Sequence, residues 1–344
     1  MKKFAALVIA VILVSGCMQL EPKKKFDAQY FDYFDTFTSF TVYADDEEQF
    51  AEYEELFSSE LERYHQLFDI YENYSGLNNI KTINDNAGIT SVQVDEEIIK
   101  LLEFAKEEYE KTGGQVNVAM GSVLSIWHDY REGGISDPQR AQIPGMQELE
   151  RAAAHMDIEA VRIDSGKSSV YLEDSAMSLD VGAVAKGYAA RRICEKLRKA
   201  GVNSALISIG GNVQTIGAKA DGDLWRVGIQ NPDSSQGQSY LYAVELKDLA
   251  LVTSGTYQRY YEVDGVRYHH IIDPKTLMPR QEFVSVSILS PDGGEADALS
   301  TAVFNLPLEE GMELIGSLDN TEAFWVYEDG REVFSPGFKN YIRD

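Results

Sequence analysis

Basic residues are in short supply in this 344-residue chain: 31 Lys and Arg face 56 Asp and Glu, a formal charge of -25 at pH 7. Such a surface repels a phosphate backbone instead of displacing its counterions, which excludes nucleic acid as a partner. Cysteine is scarcer still, with only Cys17 and Cys194. Two thiols cannot build the disulfide framework of a small secreted scaffold, so a packed core has to carry the stability. No apolar run reaches the roughly 20 residues that span a bilayer as a helix; Phe4 to Val14 is about half of that. No repeat or low-complexity segment appears, and no linker divides the chain after residue 28. What is present is globular material, 44% hydrophobic, 11% aromatic and 25% charged, enough for one large domain or two ordinary ones.

The short apolar run reads as an address. Lys2 and Lys3 precede it, as in a secretory signal peptide, and Val14-Ser15-Gly16-Cys17 closes it in a pattern that resembles the lipobox of bacterial lipoproteins. The resemblance implies cleavage before Cys17, lipid on that thiol, and anchoring to the cell membrane facing away from the cytoplasm, on the extracellular face or in the periplasm. An ordinary signal peptide with an incidental cysteine is the alternative. Residues 1–16 are thus expected to be signal peptide, and 17–28 a lipidated tether containing Pro22 and the Lys23-Lys24-Lys25 run. Residues 29–344 then form one catalytic unit. Cys194, without a disulfide partner, reads as a small core hydrophobe.

The periodicities alternate between 2 and 3.6. Phe37 to Tyr43 is strand-like, and Phe50 to Tyr71 repeats apolar residues at threes and fours with glutamates opposite. A second helix spans Asp95 to Lys111, stopped by Gly113-Gly114. Val161 to Ile163 and Val170 to Leu172 make a hairpin, Val184 to Lys199 a helix, and Ala205 to Ile209 a buried strand. Strands follow at Trp225 to Ile229, Tyr240 to Leu246 and Leu249 to Val252. Asp264-Gly265 joins Tyr260 to Val263 with Val266 to Ile272. The chain closes with strand Phe283 to Leu289, helices Glu295 to Phe304 and Leu308 to Leu318, and strand Ala323 to Tyr327. This uneven order predicts an α+β fold of mixed, largely antiparallel sheets with packed helices.

Four segments could carry chemistry. Leu179 to Tyr188 places Asp180, Gly182 and Lys186 at a helix start, where backbone amides and a cation suit phosphate; an N-cap aspartate with a packing glycine reads the same way. Gly210-Gly211-Asn212 leaves amides bare at a strand end, which suits either a ligand cradle or an ordinary strand-to-turn exit. Thr253-Ser254-Gly255 leads into a hairpin bearing His269 and His270, which alternate faces and so cannot chelate one metal together. Asp297 and Thr301 stack a carboxylate and a hydroxyl on one helix face, an oxygen pair suited to Mg²⁺ or to plain capping.

In this order the segments resemble the ApbE family of flavin transferases. The likeness runs through Phe34-Asp35-Thr36, Tyr71, Leu77-Asn78, Gly114 to Asn117, Leu179 to Tyr188, Gly210 to Asn212, Thr253 to Gly255, His270 to Pro274 and Ala296 to Thr301. It implies an ApbE-like, T-fold-related single unit that moves FMN from FAD onto a Thr or Ser hydroxyl of an acceptor protein, releasing AMP. Asp297, Thr301 and the Ala183 carbonyl match its metal ligands, with Mg²⁺ as cofactor. Tyr71, Gln115, Val116, Asn117, Asp180, Lys186 and Ile272 match FAD contacts, and His270 a histidine implicated in activity. Leu277 stands where glycine is frequent, and Ser300 where some members carry a second aspartate. The expected partners are FAD, acceptor redox proteins of the cell envelope and, through the anchor, the membrane. Hydrolysis of FAD to FMN and AMP is one competitor. A non-catalytic flavin receptor is another, although such receptors generally have two α/β lobes.

Overall fold

The computed structural model describes residues 22–233 and 237–343. The signal segment and Cys17 lie outside the described residues.

The chain opens with β1 (Lys24–Tyr33) and β2 (Thr36–Ala44), an antiparallel pair. Lys24 to Ala28 therefore belong to a strand and not to a tether. The period-2 signal is present there: Phe26, Ala28 and Tyr30 are half-buried while Lys25, Asp27 and Gln29 are exposed. Helix α1 (Glu47–Phe68), capped by Asp46, packs Phe57, Leu61 and Tyr64 onto Phe40 and Val42. It ends three residues before Tyr71, short of the sequence expectation. Next come α2 (Ile80–Asp85), β3 (Val92–Gln93), α3 (Glu96–Lys111), α4 (Gly121–Ser136) and α5 (Met146–Ala153), followed by the hairpin β4 (Val161–Asp164) and β5 (Ser169–Leu172).

Helix α6 (Ala185–Lys199) buries Ile193, Cys194 and Leu197; burial pushes the Cys194 thiol up to about 12, which makes it an inert core residue. Strands β6 (Ala205–Ile209) and β7 (Asn212–Ile216) form a hairpin, so Gly210-Gly211 is the turn into which β6 exits, and Asn212 already belongs to the next strand. The remaining elements are β8 (Trp225–Gln230), β9 (Tyr240–Leu246), β10 (Ala250–Gly255), β11 (Tyr260–Val263), β12 (Val266–His269), β13 (Phe283–Ser290), α7 (Gly293–Asn305), α8 (Leu308–Gly316), β14 (Glu322–Tyr327), β15 (Glu332–Phe334) and β16 (Ile342–Arg343). β12 stops at His269, not at Ile272.

The main sheet is antiparallel, in the order β1-β2-β6-β7-β10-β13-β14-β15. Helices α1, α6 and α7 cover one face through a core that includes Phe40, Ile207 and Ala298. The three-stranded sheet β16-β9-β8 covers the other through Trp225, Ile229 and Val244 against Val213, Leu251 and Phe324. No helix among the described residues is long and apolar enough to cross a membrane.

The register pairs Thr38 with Ile209, Leu251 with Val213 and Gly255 with Ser285. The Phe34-Asp35 turn, the Gly210-Gly211 turn and the exit of β10 therefore lie at one end of the sheet. Both turns are two-residue loops with positive φ throughout, 54° and 50° in the first, 58° and 87° in the second, the geometry that matches strand twist.

Candidate active site

At that end of the sheet α6 and α7 cross closely enough that a Cβ on Gly187 would sit 2.2 Å from the Gly293 carbonyl oxygen and 2.5 Å from Asp297 Cβ. The approach lets the Gly187 N–H donate to Asp297 Oδ2 at 2.8 Å. Gly187 is the third residue of α6, so its N–H is one of the N-terminal donors that have no acceptor within the helix. The first helical bond runs from the Tyr188 N–H to the Val184 carbonyl at 3.0 Å, so the Ala183 carbonyl, before the N-cap, takes no bond from the helix.

Asp297 is 5% exposed. Burial pushes its carboxyl above the usual range, opposed by Lys186, by the Gly187 N–H and by the Asn212 amide. Lys186 Nζ stands off at 3.9 Å and donates to the Gly182 carbonyl at 3.3 Å. Asn212 is buried beside the carboxylate, yet its Nδ2 completes no hydrogen bond of ordinary geometry. A buried carboxylate with so little positive charge, a hydroxyl one turn on at Thr301 and the Ala183 carbonyl before the start of α6 form an all-oxygen donor set that fits Mg²⁺. Ser300 is not available to such a site: its hydroxyl donates to the Asp297 main-chain oxygen at 2.8 Å and accepts from Ser254 at 2.8 Å. Among the described residues no group of three or more His, Cys, Asp or Glu side chains is arranged to hold a metal, so any ion here relies on hydroxyl and main-chain oxygen as well.

A ring of charged and aromatic groups surrounds this crossing. Asp180 accepts from the Gly182 N–H at 2.8 Å; burial pushes its carboxyl up, against Gly182, Lys186, His128 and Arg131. Tyr71 is 55% exposed, its ring 5.5 Å from that of His128. Burial and Asp180 raise its hydroxyl, while Arg131 and Arg259 oppose them. Arg131 donates to His128 Nδ1 at 2.8 Å. Opposite, His270 donates from Nδ1 to the Arg259 carbonyl at 3.2 Å, which leaves Nε2 as the acceptor nitrogen. Desolvation, with His269, Arg259 and Lys186 nearby, drives its pKa down to about 3, so the ring is neutral at physiological pH. His270 and Tyr71 remain exposed by area although desolvation dominates both. Groups crowded by protein yet open to water line a concave cleft.

The adjacent His269 faces the interior, as strand alternation predicts. It is 2% exposed, donates from Nε2 to the Arg280 carbonyl at 2.8 Å and accepts the Ile271 N–H at Nδ1. Leu277 holds φ 62°, so the turn keeps the conformation that favours glycine; its carbonyl accepts from Trp127 Nε1 at 2.9 Å.

Several expected contact residues have structural tasks. Asn117 donates to the Met156 carbonyl and accepts from the Ala119 N–H, which leaves its main chain as the surface it can offer. Ile272 is buried in the cluster around Trp127, its carbonyl accepting from Asn305 Nδ2. Gln115 and Val116 are buried on the loop that Asp180 N–H ties down through the Val118 carbonyl at 2.8 Å, and Gln115 Oε1 is a buried acceptor without a donor. His128, Arg131 and Arg259 were missed in the sequence. The Arg131-to-His128 spacing of three on one helix was the available signal, and Arg259 had none beyond its place after Thr253-Ser254-Gly255. A groove of about 690 Å³ lies among Leu67, Tyr74, Asn78, Gln93 and Asp95. It contains none of the groups above, and its carboxylate Asp95 is already paired with Arg63 at 2.8 Å.

Fold and cleft define an α+β protein that presents oxygen ligands and cations to an anionic ligand at the end of an antiparallel sheet. Residues 34–325 match the ApbE family, and the chain belongs to it. It is 36% identical over 279 residues to the FAD:protein FMN transferase of Treponema pallidum, covering 77% of this chain and 75% of that protein. It is 34% identical over 278 residues to one from Klebsiella pneumoniae, covering 79% and 84%. The crystal structure of the ApbE protein from Thermotoga maritima superposes with a TM-score of 0.81 at 28% identity, covering 93% of this chain and all of that one. The flavin transferase ApbE from Vibrio cholerae gives 0.77 at 24% identity and supports the fold.

Proposed function

We propose that this protein is an FAD:protein FMN transferase working with Mg²⁺, and that it acts from a lipid anchor at Cys17 on cell-envelope redox proteins carrying an acceptor Thr or Ser. The observation that carries the reading is the Gly187 N–H on Asp297 Oδ2, which fixes the buried carboxylate at the N-terminal turn of α6, just after Ala183. When bound by Asp297, Thr301 and the Ala183 oxygen, the ion would supply charge neutralisation at the diphosphate. Lys186, one residue into α6, adds a fixed cation beside it, where helix N-terminal amides also favour phosphate. The exposed face of Tyr71, backed by His128, offers a planar surface to a ring of the dinucleotide.

The acceptor hydroxyl attacks the FMN-side phosphorus; the new P–O bond forms as the bond to the AMP phosphate breaks and AMP leaves with that oxygen. The hydroxyl proton goes to His270 Nε2. In the free cleft that nitrogen is a poor base, first because desolvation disfavours the imidazolium and then because His269, Arg259 and Lys186 oppose a further positive charge. Pairing Arg259 and Lys186 with phosphate oxygens weakens the second cause, so substrate raises the basicity of the ring in part.

The deciding assay incubates the protein with FAD, Mg²⁺ and a candidate acceptor. Covalent flavin on the acceptor supports transfer, AMP with free FMN makes the protein a hydrolase, and unchanged bound FAD makes it a receptor. Cys17→Ser tests the anchor: the protein is expected to leave the membrane fraction, and retention there would refute lipidation.

A further inference from the structure

We propose that a hydrogen-bonded strap, Asp69 to Tyr74 to His65 to Phe34, sets the spacing of the two outer walls of the cleft, with His65 as its positioning residue. The proposal rests on the site reading above for the roles of Tyr71 and His270. It goes beyond that reading because none of the four residues touches the reacting groups.

His65 lies in the last turn of α1, outside the cleft ring. The Phe34 N–H donates to its Nδ1 at 3.2 Å, and its Nε2 lies 3.4 Å from the Tyr74 hydroxyl, which donates to Asp69 Oδ2 at 2.7 Å. The donor assignment has one solution. Phe34 can only donate, so Nδ1 accepts; Asp69 can only accept as a carboxylate, so Tyr74 spends its proton there; Nε2–H must then donate to the tyrosine oxygen. A neutral His65 in one tautomer satisfies every group. Aromatic edges of Tyr33 and Phe34, at 5.8 and 5.7 Å, fix the ring between them.

Each end of the strap holds a wall. At one end, Asp69 Oδ1 accepts the Tyr71 N–H at 2.7 Å and the Glu72 N–H at 3.2 Å, placing the exposed Tyr71 ring. At the other, Phe34 and Asp35 form a turn in which neither residue is glycine though both need positive φ. That is a disfavoured conformation which requires outside support. The Asp35 carbonyl accepts from Arg259 at 3.4 Å, and the Arg259 carbonyl in turn accepts His270 Nδ1–H at 3.2 Å. His65 thus links the main chain under Tyr71 to the residue that orients His270.

His65→Ala, Tyr74→Phe and His65→Gln test it, the last because a Gln amide can accept from Phe34 and donate to Tyr74. In His65→Ala and Tyr74→Phe, KM for FAD is expected to rise about tenfold with kcat within about threefold, and amides of 33–37 and 259–270 to exchange hydrogen faster. His65→Gln is expected to restore both. Unchanged exchange in both segments of His65→Ala overturns the strap, whatever the activities. So does a wild-type KM in that variant when Tyr71→Ala raises it. If Tyr71→Ala and His270→Ala both transfer flavin at the wild-type rate, the site reading fails instead, and exchange alone decides the strap.

Discussion

The inner crossing of α6 and α7 and the outer rim of the cleft solve different problems with different materials. At the crossing, main chain touches main chain: Gly187 and Gly293 have no room for a Cβ, and Asp297 is held by a backbone N–H. The rim is made of side chains from three distant segments, Tyr71, His128 with Arg131, and the hairpin flanked by Arg259 and His270, several of them open to water. The neighbours His269 and His270 reproduce the contrast within one dipeptide. Reacting groups that must not move are set by backbone; groups that must admit a dinucleotide and then a protein are set by replaceable contacts.

The largest effect is expected at the centre of the crossing. Asp297→Asn keeps the shape but removes the charge, and transfer of flavin to an acceptor should fall about a thousandfold, with magnesium dependence lost. In-gel flavin fluorescence measures it, and a variant within tenfold of wild type would move the chemistry elsewhere. Gly187→Ala drives a methyl against a carbonyl oxygen that cannot rotate away. A stability loss of at least about 3 kcal/mol in urea titration is expected, and a loss below about 1 kcal/mol would mean that the helices can separate without harm.

The inner region was the more legible one. Asp297 and Thr301 could be paired from spacing alone because a helix stacks i and i+4, and Lys186 sat visibly at a helix start, whereas Asp180 lies four residues before the N-cap Val184 and does not cap α6. The Gly187 N–H bond to Asp297 was invisible, since it depends on a tertiary crossing. The rim was barely readable. Helix α4, which supplies His128 and Arg131, carries Gly133 and Gly134 and lacks a clean apolar stripe, so nothing marked it as helix. The start of β1 reads as a tether because the Lys23-Lys24-Lys25 run overlaps it, and β7, buried on both faces, has no alternation to see. Leu277 shows the opposite limit: a leucine holds a conformation that suits glycine because burial among Trp127, Tyr261 and Ile272 compensates.

Acid stability and flavin transfer together should separate the two histidines. His269 is fully internal with a pKa lowered to about 4, against about 6.5 when unfolded. Protons then favour the unfolded chain. The contribution is intact above about pH 6.5 and is lost as pH falls through about 4, on the order of 3 kcal/mol. The pH dependence of stability in His269→Gln should be flatter than wild type over that window, and coincident curves would deny His269 any part in acid sensitivity. His270→Gln, whose imidazole is driven lower still, to about 3, should flatten the profile over the same acid range and, unlike His269→Gln, should also change transfer. Tyr71→Ala should raise KM for FAD about tenfold, the value of one aromatic face, while the urea midpoint stays put. A shifted midpoint with unchanged KM would make Tyr71 a packing residue and erase the distinction between rim and crossing.

The smallest effect has the opposite sign. Gly133 sits in the interior of α4, two residues beyond Arg131, and a Cβ there meets nothing within 4 Å, whereas one on Gly134 would meet Tyr261 Cδ2 at 2.5 Å. Gly133→Ala removes only the entropic disadvantage of glycine in a helix, so the protein should gain up to about 1 kcal/mol. KM for FAD reports on whether the rim needs its looseness. If the helix under His128 and Arg131 is a passive support, KM stays constant while stability rises. A stabilised variant with weaker FAD binding would show instead that α4 has to flex for the dinucleotide to enter, and that Gly133 is kept at the cost of helix stability.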